Sequence, residues 1–125
     1  MEDAAERAFA MARRAVFEQE QLIARYLAEE DEGKTELAAL QRMSVNLQAL
    51  QAMSRYLSAM NRRIARAQSE RDSLARTAEA RREELVKATQ ARKVLEKLRE
   101  RRMREYGRGV DREEQKRLDE LSSGR

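Results

Sequence analysis

The feature that most restricts the fold is a stretch of 73 residues, Lys34 to Tyr106, that contains neither glycine nor proline. These two residues most often end a helix. Apolar residues recur here at spacings of three and four, with arginine at some positions of the same pattern. This a/d heptad pattern predicts a long helix whose seam faces a partner helix. The seam positions are Leu50, Met53, Leu57, Met60, Ile64, Ala67, Arg71, Leu74, Ala78, Arg81, Leu85, Ala88, Arg92 and Leu95.

The composition favours long helices over a compact fold. Charged residues make up 40% of the chain and aromatic residues 4%, so a thick core cannot form. The chain has no cysteine, and its first residues show no basic and apolar signal segment. No apolar run approaches the length of a membrane span. These features predict a soluble, cytoplasmic, all-α protein.

An earlier seam runs from Phe9 through Ile23 to Leu40, with Gly33 in phase. Its phase is lost before Leu50, which indicates that the chain reverses between the two seams. Ser44 is a good N-cap residue, and Asn46 tolerates turns. The pattern therefore predicts a long two-helix antiparallel coiled coil, a helical hairpin, with a short C-terminal helix or a disordered tail. The predicted segments are a first helix at 1–41, a turn at 42–46 with 31–35 as the alternative, a second helix at 47–106 ended by Gly107 and Gly109, and a short helix or flexible tail at 107–125.

A reversal near residue 43 places Tyr26 opposite Met60 and Phe9 opposite Ala78. The first helix is then too short to cover the second, and residues from about Leu85 to Tyr106 are expected to lack a partner within the chain. This end is basic, because residues 87–108 hold 9 bases and 3 acids. The i,i+4 pairs Glu83–Lys87 and Glu100–Arg104 can balance only part of the excess.

The sequence holds almost no chemistry for catalysis. It contains no histidine and no cysteine, so the commonest general base, metal ligands and thiol nucleophile are missing. No phosphate-binding GxxxxGK[ST] segment is present. The acidic runs 29–32 and 113–114 are interpreted as solvated helix positions. We therefore expect no catalytic residues, no metal, no cofactor and no enzymatic activity.

Three segments carry a family resemblance: RYLSAMNRRIARAQ (55–68), ARKVLEKLRERR (91–102) and REEQKRLDEL (112–121). They resemble the FliJ family, the coiled-coil stalk component of the flagellar type III export apparatus, and its virulence-secretion counterparts. The resemblance covers roughly residues 5–121. It implies a hairpin similar to part of a rotary-ATPase central stalk. The implied partners are a hexameric export ATPase, a membrane export-gate protein and export chaperones.

The resemblance also implies where the partners bind. Members usually carry further helical residues before the point where this chain begins, and the spacing from Tyr26 to Tyr56 is longer than in the family. The protein is expected to be a monomer, or to self-associate weakly, at the cytoplasmic face of the inner membrane, held there only through its partners. Carried over by position, the gate surface comprises Leu22, Tyr26, Tyr56 and Met60. The ATPase is expected at the end that holds both termini, on Val94, Leu95, Leu98, Arg99, Arg101 and Arg102.

Other interpretations of these residues remain open. Tyr26 and Met60 fall on seam positions and can be packing residues, whereas Tyr56 lies beside the seam. The aliphatic parts of the seam arginines can cover the seam, or their guanidinium groups can bind an acidic partner protein. A generic self-associating coiled-coil scaffold is one alternative function. A basic nucleic-acid binder is another, which is disfavoured because only Tyr106 could stack on bases in the basic segment.

Overall fold

The computed structural model describes residues 1–43 and 46–123, and it contains two helices lying side by side in opposite directions. Helix α1 spans Glu2–Arg42 and helix α2 spans Leu47–Ser123. At 1.5 Å per residue, their lengths are about 60 Å and about 115 Å. The described residues contain no strand. The prediction of an all-α, two-helix antiparallel hairpin is confirmed.

The core is a single line of side chains between the two helices. Its fully buried members are Ile23 on α1 and Met60, Ile64 and Ala67 on α2. Most other a/d positions of α2 are half-buried, and the residues between them are exposed except Ala49 and Thr89. The heptad pattern therefore identifies the side of α2 that packs against α1.

Polar contacts across the seam fix which residues face each other. The Gln19 side-chain amide donates to the carbonyl oxygen of Ala67 at 3.0 Å, and the Thr89 hydroxyl donates to the Glu2 carboxylate at 3.0 Å. Arg92 forms an ion pair with the same carboxylate. Pairing thus extends to Arg92, which corrects the expected limit near Leu85. The reason is that α1 begins at Glu2, before its first seam residue, Phe9. It therefore covers a longer part of α2 than the seam residues indicate.

The part of α2 beyond the last polar contact with α1, residues 93–123, is called the overhang below. It is about 45 Å of single helix. All its residues are exposed except Gly107, which is half-buried. The unpaired end of the molecule is therefore one helix thick.

Gly33 lies inside α1 and is buried. A Cβ atom at this position would lie 2.9 Å from Cδ2 of Leu57 and 3.3 Å from Cε1 of Tyr56. The missing side chain allows both α2 residues to pack directly on the backbone of α1. This packing compensates for the roughly 1 kcal/mol that glycine costs within a helix. Because α1 is continuous here, the alternative reversal at 31–35 is not present.

The chain reverses between Arg42, the last residue of α1, and Leu47, the first residue of α2. Ser44 and Val45 lie outside the described residues, and so does the N-cap role considered for Ser44. The observed cap comes from Asn46, whose Oδ1 accepts a hydrogen bond from the Gln48 N–H at 2.9 Å. Its amide side chain thus satisfies one of the free N–H groups at the start of α2.

Replacement of Asn46 by alanine should destabilise the hairpin by about 1 kcal/mol, because the Gln48 N–H loses its side-chain acceptor. Asn46→Asp keeps an acceptor oxygen and should leave stability nearly unchanged. Thermal unfolding followed by circular dichroism measures both effects. Asn61→Ala, at an exposed position within α2, is the matched control. Equal losses for Asn46→Ala and Asn61→Ala would contradict a capping role.

Helix α2 continues through Gly107 and Gly109 to Ser123. This corrects the predicted helix end at Tyr106 and the separate short helix or tail at 107–125. Each glycine costs about 1 kcal/mol in a helix but does not block it as proline would. The following segment consists mostly of good helix formers such as Glu, Gln, Lys, Arg and Leu, which outweigh that cost.

Candidate functional site

The residues predicted to bind the export gate differ in exposure. Leu22 and Tyr26 are half-buried on α1, and the Tyr26 ring lies 5.8 Å from the guanidinium carbon of Arg63. Tyr56 keeps 43% of its surface exposed, whereas Met60 keeps 2%. Met60 is therefore a core residue and not part of a surface. The correction follows from its seam position, which turns its side chain towards α1.

Tyr56 and Gly33 form the most specific contact on this side of the hairpin. The Tyr56 ring lies close to α1 at Gly33, where its Cε1 would be 3.3 Å from an added Cβ atom. One part of the ring is thereby held against α1, and the rest faces solvent. This arrangement presents a fixed aromatic surface that a partner can pack on.

The three seam arginines find acidic partners within the chain. Arg71 pairs with Asp72 at 3.1 Å, and Arg81 pairs with Glu84 at 3.0 Å. Arg92 pairs with Glu96 at 2.8 Å and also with Glu2. Hydrogen bonds from Arg92, first to Glu96 and then to Glu2, raise the pKa of its guanidinium. These seam charges therefore do not require an acidic partner protein.

Apolar side chains of the overhang are exposed along the line that α1 leaves open. Leu95 is 56% exposed, Leu98 is 46% exposed and Tyr106 is 76% exposed. Where α1 begins, Leu95 lines a shallow groove together with Met1 and Ala91. A helix binding here would continue the path of α1 along α2. We call this surface the open seam and define it as Leu95, Leu98, Arg99, Arg102 and Tyr106.

The six residues predicted to meet the ATPase do not share one face. Four of them belong to the open seam. Arg101 follows Leu95 by six residues, which places it about 120° further round the helix. Val94 lies between the two faces and lines a small groove with Leu98 and Arg101.

Charged side chains of the overhang are mostly without ionic partners. Glu96 pairs with Arg92, but no other charged residue of 93–123 forms an ion pair within the described part of the chain. The expected i,i+4 pairs Glu83–Lys87 and Glu100–Arg104 are likewise not formed among these residues. Exposed pairs of this kind gain little, because solvation and side-chain entropy compete with them. The positive charge of this end is thus available to a partner.

The described residues bring together no group of three or more acidic side chains that could hold a metal ion. Neither described helix has a segment apolar and long enough to cross a bilayer. The candidate binding surfaces of this arrangement are the open seam and the exposed part of the Tyr56 ring.

Comparison with known proteins gives one match. A family model described as "Flagellar FliJ protein" matches residues 1–125. No curated protein and no solved structure shows a significant match.

Proposed function

This chain belongs to the FliJ family, a component of the flagellar export apparatus, and on that basis we propose that it acts as a non-enzymatic stalk. In this proposal the overhang enters the central opening of a hexameric export ATPase. The hairpin remains outside and presents its Tyr56 side to a membrane export-gate protein. Export chaperones are further proposed partners. The proposed location is the cytoplasmic face of the inner membrane.

The observation that carries this proposal is the single-helix overhang with an exposed open seam. An α-helix with its side chains is about 10–12 Å across, so the overhang is the narrowest part of the molecule. Leu95, Leu98 and Tyr106 offer apolar contacts there, and Arg99 and Arg102 offer charged ones. This combination suits an interface with an apolar centre and polar surroundings.

The asymmetry of the overhang suggests how a stalk would affect a ring of identical subunits. One side of the helix carries the open seam, and the opposite side is mostly polar and charged, with Val94 and Leu118 as apolar exceptions. Subunits around the helix would therefore meet different surfaces. A ligand shifts a conformational equilibrium by its difference in affinity for the two states. Unequal contacts would bias the subunits towards different states.

For the export gate, the proposed surface is Tyr56 with Leu22 and Tyr26. Tyr56 has the largest exposed area of the three and is positioned by Gly33. Aromatic side chains at the centre of an interface often contribute most of its affinity. Met60 is left out because it is buried.

The ATPase interaction can be tested with the double variant Leu95→Ala, Leu98→Ala. Loss of two apolar contacts should weaken co-sedimentation with the hexameric export ATPase by about tenfold or more. If the wild-type protein changes the rate of ATP hydrolysis, the double variant should not produce that change. Leu27→Ala, at an exposed position on α1, is the control and should behave as wild type. If the wild-type protein neither co-sediments with the ATPase nor alters its rate, the stalk proposal is wrong.

A second candidate function, a self-associating scaffold, is favoured by the same exposed leucines, together with Leu118 and Leu121. In that case a second copy would cover the open seam. The solution mass at low micromolar concentration distinguishes the two functions. A stable dimer supports the scaffold, and a monomer supports the stalk.

A further inference from the structure

Six bases follow one side of the overhang at spacings of four, four, three, four and four residues. In a helix, such spacing places side chains on one face, one above the other. The line is about 28 Å long. We call it the basic ladder, and its members are Lys93, Lys97, Arg101, Arg104, Arg108 and Arg112.

The ladder is exposed and is not neutralised by the chain itself. Each of its residues is exposed, and none forms an ion pair with another described residue. Three acidic residues, Glu100, Glu105 and Asp111, lie three or four residues from bases of the ladder. The six bases outnumber these three acids, so this side of the overhang carries a net positive charge.

This side faces away from α1 and from the open seam. Arg92, which pairs with Glu2 of α1, is followed five residues later by Lys97 and nine residues later by Arg101. These offsets place both bases about 140° to 180° round the helix from it. A flat surface approaching the ladder would consequently not collide with α1. Because the six bases share one face of a continuous helix, all six side chains can reach such a surface together.

The composition of the face indicates what kind of partner fits. It lacks the apolar centre that a protein–protein interface normally has, with only Val94 at its edge. It also lacks a stacking aromatic for nucleic acid, because Tyr106 lies two residues from Arg108, about 200° round the helix. A cluster of four to eight bases on a helix is sufficient for an anionic membrane surface, which attracts each base individually.

We propose that the basic ladder binds the anionic lipid headgroups of a bilayer, with α2 lying along the membrane surface and α1 facing away from it. The long Lys and Arg side chains reach the phosphates while the helix backbone stays outside the apolar layer. This contact is direct and requires neither the ATPase nor the export gate. It is an alternative to insertion of the overhang into the ATPase ring, because the same segment cannot lie on a bilayer and enter the ring at once.

The test is co-flotation of the full chain with vesicles of phosphatidylcholine alone and of phosphatidylcholine mixed with phosphatidylglycerol. The wild-type protein should float only with the mixed vesicles, and raised salt should release it. The variant Lys97→Gln, Arg101→Gln, Arg104→Gln should bind on the order of 100-fold more weakly, at about fivefold per base.

The matched control is Arg99→Gln, Arg102→Gln, Arg117→Gln, which removes the same charge from the same helix outside the ladder. It should keep binding within about fivefold of wild type. No binding of the wild-type protein to the mixed vesicles would overturn the proposal. So would equal losses in the two triple variants, since only net charge would then matter. Equally tight, ladder-dependent binding to a random-sequence DNA duplex would also overturn it, because the ladder would then be a general polyanion site.

Discussion

Met60→Ala should destabilise the hairpin by about 2–5 kcal/mol, the usual cost of truncating a fully buried methionine. The side chain is 2% exposed and lies in a core that is one residue thick. No second layer of side chains can move in to fill the resulting cavity. Thermal unfolding measured by far-UV circular dichroism should show a decrease in Tm of at least about 8 °C.

The control for this prediction is Met11→Ala, the same substitution at a position that is 73% exposed. It should change stability by no more than about 0.5 kcal/mol. A similar Tm for the two variants would show that Met60 is not a core residue. In that case its assignment to the gate surface, which rests on the family resemblance, would have to be reconsidered.

Gly33→Leu should also destabilise the hairpin, by about 2 kcal/mol. Its Cβ would already lie 2.9 Å from the Leu57 side chain and 3.3 Å from the Tyr56 ring. To admit the remaining side-chain atoms, the Leu57 side chain and the Tyr56 ring must move or the helices must separate. The gain of about 1 kcal/mol in helix propensity from replacing glycine offsets only part of this cost.

Gly107→Leu is the matched control, because nothing lies within 4 Å of a Cβ built at Gly107. There the propensity gain is unopposed, and helix content should stay the same or rise. The Gly33 variant should in addition change the fluorescence or proteolytic accessibility of the Tyr56 side of the hairpin. A Gly33→Leu protein with wild-type Tm would mean that the two helices do not approach closely at this point.

The helical hairpin could be predicted from the sequence because one side of each helix repeats at three- and four-residue spacing. Leu57, Ile64 and Leu74 lie on the seam that packs against α1. The end of α2 could not be predicted in the same way. Gly107 and Gly109 lower helix propensity, but propensity is a sum over many residues, and the segment after them favours the helix.

The candidate sites were less predictable than the fold. Met60 has the residue type of an adaptable binding surface but also falls on a seam position, and its burial decides between the two interpretations. The reach of α1 to Arg92 depends on one acidic residue, Glu2, that carries no heptad signal. The basic ladder was within reach of the sequence, since its three- and four-residue spacing is visible there. A count of 9 bases against 3 acids in residues 87–108 does not show on which side of the helix the bases lie. The position of α1 is needed to show that α1 does not cover this side.

Helix α2 connects the turn to the far end of the overhang without interruption. Its backbone hydrogen bonds therefore form one elastic element, and a bend or twist applied at either end is transmitted to the other. The stiffness is not uniform along its length. Two helices share the load as far as Arg92, and one helix carries it beyond that point. Gly107 and Gly109, which have the weakest preference for the helix, lie within this single-helix part. Under mechanical load the molecule should therefore bend first at these glycines, and the paired hairpin should move as a rigid lever.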